Sequence, residues 1–126
     1  MDESVFKKMH IKPSSSAIVL YPTPEYSAFL AQQATLDLSE RNEYSIVQLF
    51  VGSREEYKRR IIEAKRLVAS DGLIWICYPK KTKNLQPDIN RDSLFLLAQE
   101  DNLQVTTNIA LNDEWSMLRA KSFGIR

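Results

Sequence analysis

The 126-residue sequence predicts one three-layer α/β domain, spanning 1–126, whose mostly parallel sheet is closed by a C-terminal antiparallel hairpin. Three observations carry this. Apolar runs rich in β-branched residues lie at 17–21, 44–51 and 73–78, the mark of strands covered on both faces. Helix signatures separate them, and repeated strand–helix units require right-handed crossovers and a parallel sheet. Near the end, Leu103, Val105, Thr107, Ile109 and Leu111 instead alternate with Gln104, Thr106, Asn108 and Ala110. A period of two suits an antiparallel strand with one wet face.

Taken in order, residues 1–16 read as a short helical lead-in ended by Pro13-Ser14-Ser15-Ser16. Ala17-Ile18-Val19-Leu20-Tyr21 is the first strand. Thr23-Pro24 supplies an N-cap and a first-turn proline for a helix running to about Gln33, with Tyr26, Phe29 and Leu30 on one face. Thr35-Leu36-Asp37-Leu38 is read as either a short edge strand or a connection. Tyr44–Val51 is the next strand. Ser53 and Glu56 form a capping box for a helix with Tyr57, Ile61, Ala64 and Val68 at helical spacing, widened by Ile62 and Leu67. Glu55–Arg59 and Glu56–Arg60 are favourable i,i+4 pairs. Gly72 is expected to end that helix as a left-handed C-cap. Leu73–Tyr78 is the clearest buried strand. Asn90 caps a helix from Arg91 to about Glu100, with Leu94, Leu97 and Ala98 inward. The segment from Trp115 to Lys121 pairs with 103–111 across a loop at Asn112-Asp113-Glu114.

The composition excludes several chemistries. With 17 basic and 16 acidic residues, the chain lacks the excess expected of a nucleic-acid binder. It has only 3 glycines, all far apart, so neither a dinucleotide fingerprint nor a P-loop can form. One histidine, His10, and one cysteine, Cys77, exclude a zinc ribbon, a CxxC pair and a disulfide framework. The longest apolar run falls far short of a membrane span, and the acidic start is not expected to serve as a signal peptide. A lone Cys77 within an apolar strand fits a reducing compartment, so the expected location is cytoplasmic.

The order of elements, with its closing hairpin, resembles a truncated class I methyltransferase domain of the Rossmann-like type. Asp71-Gly72-Leu73-Ile74-Trp75-Ile76-Cys77-Tyr78-Pro79-Lys80-Lys81, then Asp88-Ile89-Asn90-Arg91-Asp92 and Trp115-Ser116-Met117-Leu118-Arg119, also resembles a small bacterial family of unknown function. That second likeness runs from about Phe6 to Arg119 and implies no activity. The first implies a glycine-rich turn after the first strand to cradle S-adenosylmethionine, and an acidic residue after the second to hold its ribose. Here the turn reads Tyr21-Pro22-Thr23-Pro24-Glu25, without glycine and with two prolines, and Asp37 is the nearest acid. Proline removes an N–H and fixes φ, so no cofactor is expected to bind.

In open α/β sheets, ligands sit beyond the carboxyl ends of the strands, near the switch in strand order. Tyr21–Glu25, Val51–Ser53 and Tyr78–Asn90 are expected to meet there. Lys80, Lys81, Lys83 and Arg91, with the helix starts at Ser53 and Asn90, give a candidate anion site. The alternative is a solvated basic loop. Asp88 and Asp92 read as helix-start residues rather than an acid–base pair. Cys77 reads as a buried thiol, Trp75 and Trp115 as packing residues. Arg119 either pairs with Asp113 or Glu114 or faces a ligand, and the structural role is preferred. No catalytic residue and no metal ligand is expected. Three readings follow: a non-catalytic methyltransferase-like domain that binds a small anion or a protein partner; a degenerate methyltransferase or other small transferase; and a structural module, for instance a homodimer through a strand edge.

Overall fold

The computed structural model describes Met9 and residues 16–32, 42–83 and 86–122. The elements run β1 (Ala17–Leu20), α1 (Pro24–Ala31), β2 (Tyr44–Phe50), α2 (Arg54–Leu67), β3 (Val68–Pro79), α3 (Arg91–Glu100), β4 (Leu103–Ala110) and β5 (Trp115–Ser122). The strands form a 5-stranded sheet in the order β1-β2-β3-β5-β4. β1, β2 and β3 are parallel; β5 lies antiparallel between β3 and β4. The parallel sheet and its closing hairpin are therefore as the sequence predicts, with β3 at the centre. The helical lead-in apart from Met9 and Ser16, His10, and the segment Thr35–Leu38 with Asp37 lie outside the described residues.

Each strand sends alternate side chains to opposite faces. On one face Val47, Leu49, Ile74, Ile76 and Leu118 meet Tyr57, Ile61 and Ala64 of α2, and Leu94 and Ala98 of α3. On the other, Ile46, Phe50, Trp75, Cys77 and Met117 meet Tyr26 of α1 and the buried Met9. The first face is built of hydrocarbon side chains apart from its tyrosines. The second holds the buried amide of Gln48, which accepts from Tyr26 Oη at 2.7 Å and donates to Cys77 Sγ at 3.4 Å and Met117 Sδ at 3.5 Å. A buried amide left unpaired would cost about 1–3 kcal/mol, so the phenol and the two sulfurs fix how this face packs.

Each of the three described helices is capped at its start by the predicted residue. Thr23 Oγ1 accepts from Tyr26 N, Ser53 Oγ from Glu56 N, and Asn90 Oδ1 from Ser93 N. Such a cap is worth about 1 kcal/mol. The predicted capping box at Ser53 is displaced by one residue, because Glu56 Oε1 accepts from Gly52 N at 2.7 Å. The i,i+4 pairs Glu55–Arg59 and Glu56–Arg60 form at 3.7 and 3.3 Å.

Other expectations are corrected. Gly72 does not end α2: Val68 is the C-cap, with φ −77 and ψ 137, and pairs with Tyr44 as β3 begins. Gly72 sits in β3, where the register jumps from Tyr44↔Val68 to Ile46↔Leu73. A Cβ there would meet Val68 Cγ2 at 2.8 Å and the Ser45 carbonyl at 2.9 Å, so the glycine permits a close strand approach. Ile62 is 69% exposed rather than part of the core stripe, which Tyr57, Ile61 and Ala64 already fill. The alternation of β4 breaks too. Thr106 is an extra residue between Val105↔Ala120 and Thr107↔Arg119, so Val105 packs on the α3 face while Ile109 packs on the other.

Candidate functional site

The carboxyl ends of β1, β2 and β3 lie side by side, and the segments that follow them line that edge. Among the described strands β1, β2 and β3 follow one another in chain order, and the helices after β1 and β2 pack on opposite faces of the sheet. What occupies the edge between them begins at Tyr21. Its φ is 58, the left-handed region that most side chains avoid at a cost of about 1–2 kcal/mol. The side chain is anchored across the edge on α2. Tyr21 Oη donates to Glu63 Oε1 at 2.8 Å, and the Arg60 guanidinium lies 4.3 Å from the ring centroid. Arg60 Nη1 also donates to the Phe50 carbonyl at 3.0 Å and pairs with Glu56, whose Oε1 caps Gly52 N. One polar chain thus runs from the end of β1 to the end of β2. The hydrogen bond to Glu63, more than the Coulomb effect of that carboxylate, raises the Tyr21 phenol above its ordinary value.

This arrangement modifies the sequence argument about the first turn. The absence of glycine does not prevent a left-handed backbone; Tyr21 adopts one, held by its own side chain. The prolines act as expected. Pro22 and Pro24 offer no N–H, Tyr26 N is taken by Thr23 Oγ1, and Ser27 N by the Thr23 carbonyl.

The start of α2 holds a carboxylate from the same chain. Asp88 Oδ1 accepts from Arg54 N at 3.0 Å, and Arg54 Nε donates to the Asp88 carbonyl at 2.7 Å. Asp88 is a helix-start residue, as read from sequence, but it serves α2 and not the nearby α3. Buried Ile89 pins the loop beside it. Sequence reasoning missed both Asp88's partner and the Tyr21 anchor, because each depends on residues 34 to 42 positions away.

The candidate anion residues sit as follows. Ser53 and Asn90 spend their side-chain oxygens as caps. Lys80 is half-buried, and its N–H donates to the Glu114 carbonyl at 2.9 Å in the β4–β5 turn. Lys81 is exposed. Arg91 lies 3.6 Å from Asp92 and lines a groove between α3 and β4 with Phe95, Val105 and Asn108. Arg119 pairs with neither Asp113 nor Glu114. Its Nε donates to Thr106 Oγ1 at 2.7 Å, filling the β4 bulge, and its guanidinium lies 6.0 Å from the Trp75 ring centroid. Trp75 is buried with Nε1 donating to the Met9 carbonyl, and Trp115 packs edge-on to Phe50 at 5.2 Å. Burial pushes the Cys77 thiol up, which suits a packing residue and not a nucleophile. Among the described residues no three His, Cys, Asp or Glu side chains group to hold a metal. No described helix is long and apolar enough to cross a membrane.

No protein-family model matches the chain, and no curated protein sequence matches it. Solved structures do. A SAM-dependent methyltransferase from Aquifex aeolicus superposes with a TM-score of 0.64 at 10% identity, over 94% of this chain and 87% of that one. TehB from Haemophilus influenzae gives 0.55 at 11% identity, over 97% of this chain and 62% of its own. A putative type 11 methyltransferase from Sulfolobus solfataricus gives 0.52 at 12% identity, over 94% and 78%. Identities this low speak to the fold alone. The fold of this chain is that of a class I methyltransferase-like, Rossmann-like domain.

Proposed function

We propose that this is a non-catalytic methyltransferase-like domain that works by binding, and does not turn over S-adenosylmethionine. The observation that supports this reading is the Tyr21 anchor. It lays an aromatic side chain from the turn after β1 onto α2, while Pro22 and Pro24 withhold backbone donors. A ligand approaching that turn meets a side chain already paired with Glu63 and Arg60. The fold neighbours support the second reading, a degenerate methyltransferase, since two of the three are described as methyltransferases. Calorimetry with near-millimolar S-adenosylmethionine separates the two. The first reading expects no saturating heat; a clear isotherm gives the second reading the lead.

For a small anion, the proposed contacts are Lys80, Lys81 and Arg91, with N–H groups near Ser53 and Asn90. A carboxylate already rests on Arg54 N, which supports an anion preference at the α2 start and sets Asp88 as its competitor. Inorganic phosphate in a thermal-shift titration is the probe. Stabilisation that disappears on replacing Lys81 and Arg91 with alanine, at unchanged unliganded melting temperature, is the expected result. No phosphate response in the native chain removes the site.

A further inference from the structure

β4 ends the sheet, and among the described residues nothing pairs with its outer edge. It is 8 residues long, Leu-Gln-Val-Thr-Thr-Asn-Ile-Ala, with no charge, proline or glycine. Soluble proteins guard such edges with lysine or proline, or cover them, because an open uncharged strand templates further pairing. Beside it, two adjoining grooves of about 420 and 290 Å³ run between α3 and β4. Phe95 and Val105 line both, and Phe95 is 42% exposed midway along α3.

We propose that β4 pairs antiparallel with β4 of a second copy of this chain, about a twofold axis that passes Phe95. The strand is neutral, so a copy of itself meets no like charge along the edge. The register follows from side-chain faces. Antiparallel partners must share a face, and the Thr106 bulge puts Val105 and Asn108 on the same one. Setting Val105 opposite Asn108 of the second copy satisfies every face and centres the axis on the bulge. The two straight arms on either side then pair with each other. Eight residues span about 27 Å and the strand-plus-helix edge about 20 Å, so about 1,000 Å² is buried in total, the floor for a specific contact. The dimer is therefore expected to be weak, in the micromolar range. It does not depend on any cofactor, and its readout needs none.

A residue at a twofold axis faces itself, which makes Phe95 the test. Sedimentation of the unliganded full chain at rising concentration is expected to show a reversible dimer. Phe95→Lys and Phe95→Asp alone each set like charges together and are expected to weaken it by more than about tenfold. An equimolar mixture of the two is expected to dimerise again. Circular dichroism and melting of each variant at low concentration check that the fold survives, and Leu96→Glu, at a position 62% exposed on the same helix, serves as a second, fold-neutral probe expected to weaken dimerisation less than Phe95→Lys does. A native chain that stays monomeric, or a dimer that Phe95→Lys leaves intact, overturns the proposal.

Discussion

After β1 the chain turns through Tyr21 at φ 58; after β2 it turns through Gly52, whose φ is not left-handed. The residue best suited to a left-handed backbone is thus absent where that backbone occurs and present where it is not needed. The difference lies in what else each turn can use. Tyr21 is anchored by Glu63 and Arg60 on α2, so tertiary contacts offset the local strain. Gly52 lies at a helix start, its N–H donating to Glu56 Oε1, and needs no special backbone. The third described position in this comparison, Gly72, is spent on closeness. It lets β3 pass within reach of the Ser45 carbonyl.

The largest expected effect comes from that closeness. Gly72→Ala drives a methyl into Val68 and a backbone oxygen, and the expected loss is about 1–3 kcal/mol in denaturant unfolding. Gly52→Ala meets only the tip of the Glu56 side chain, at 3.1 Å, which can move aside. It should change stability by less than about 0.5 kcal/mol. Equal losses at both glycines would break the distinction.

Tyr21 gives the next effect. Tyr21→Ala keeps the left-handed strain and removes both anchors, and should lower the melting temperature. Tyr21→Gly also removes the anchors but relieves the strain, so it should be the more stable of the two by about 1 kcal/mol. This reverses the usual order in which alanine is preferred. An alanine variant as stable as the glycine variant would show that Tyr21 is not strained.

The smallest effect expected is that of the Tyr21 phenol in alkali. The Tyr21 phenol is raised by its bond to Glu63, so the folded state favours the protonated form. Its support is complete below the ordinary value of 10.0 and is lost as pH rises through the higher folded value. Buried Tyr26, Tyr57 and Cys77 are raised mainly by desolvation and act in the same direction, the thiol from its ordinary 9.0 upward. Stability should therefore fall steadily above about pH 9, and Tyr21→Phe should remove one tyrosinate step from the native titration. A native chain whose stability is flat to pH 11 would contradict the assignment, about one unit past the ordinary phenol.

These positions also mark how far the sequence could be read. Thr23, Ser53 and Asn90 were legible as caps because a cap acts within three residues. The strand at 73–78 was legible because it is apolar throughout, and its place at the sheet centre follows. Gly72, Ile62 and Thr106 were misjudged for a common reason. Each is set by what lies across the sheet or helix face, and local spacing carries no record of it. Tyr21 and Asp88 belong with them, since their partners on α2 lie far along the chain. Gln48 is harder still. A polar residue within an apolar strand gave no sign that a phenol and two sulfurs would converge on it.

The proposed function requires that the turn after β1 be closed to a methyl-donor cofactor. The direct measurement is an amide chemical-shift titration of the isotopically labelled chain with S-adenosylmethionine. No saturable shifts are expected at Tyr21, Thr23, Glu25 or Val51–Ser53 up to near-millimolar cofactor. Saturable shifts concentrated at those amides, with loss of the Tyr21–Glu63 contact, would contradict it.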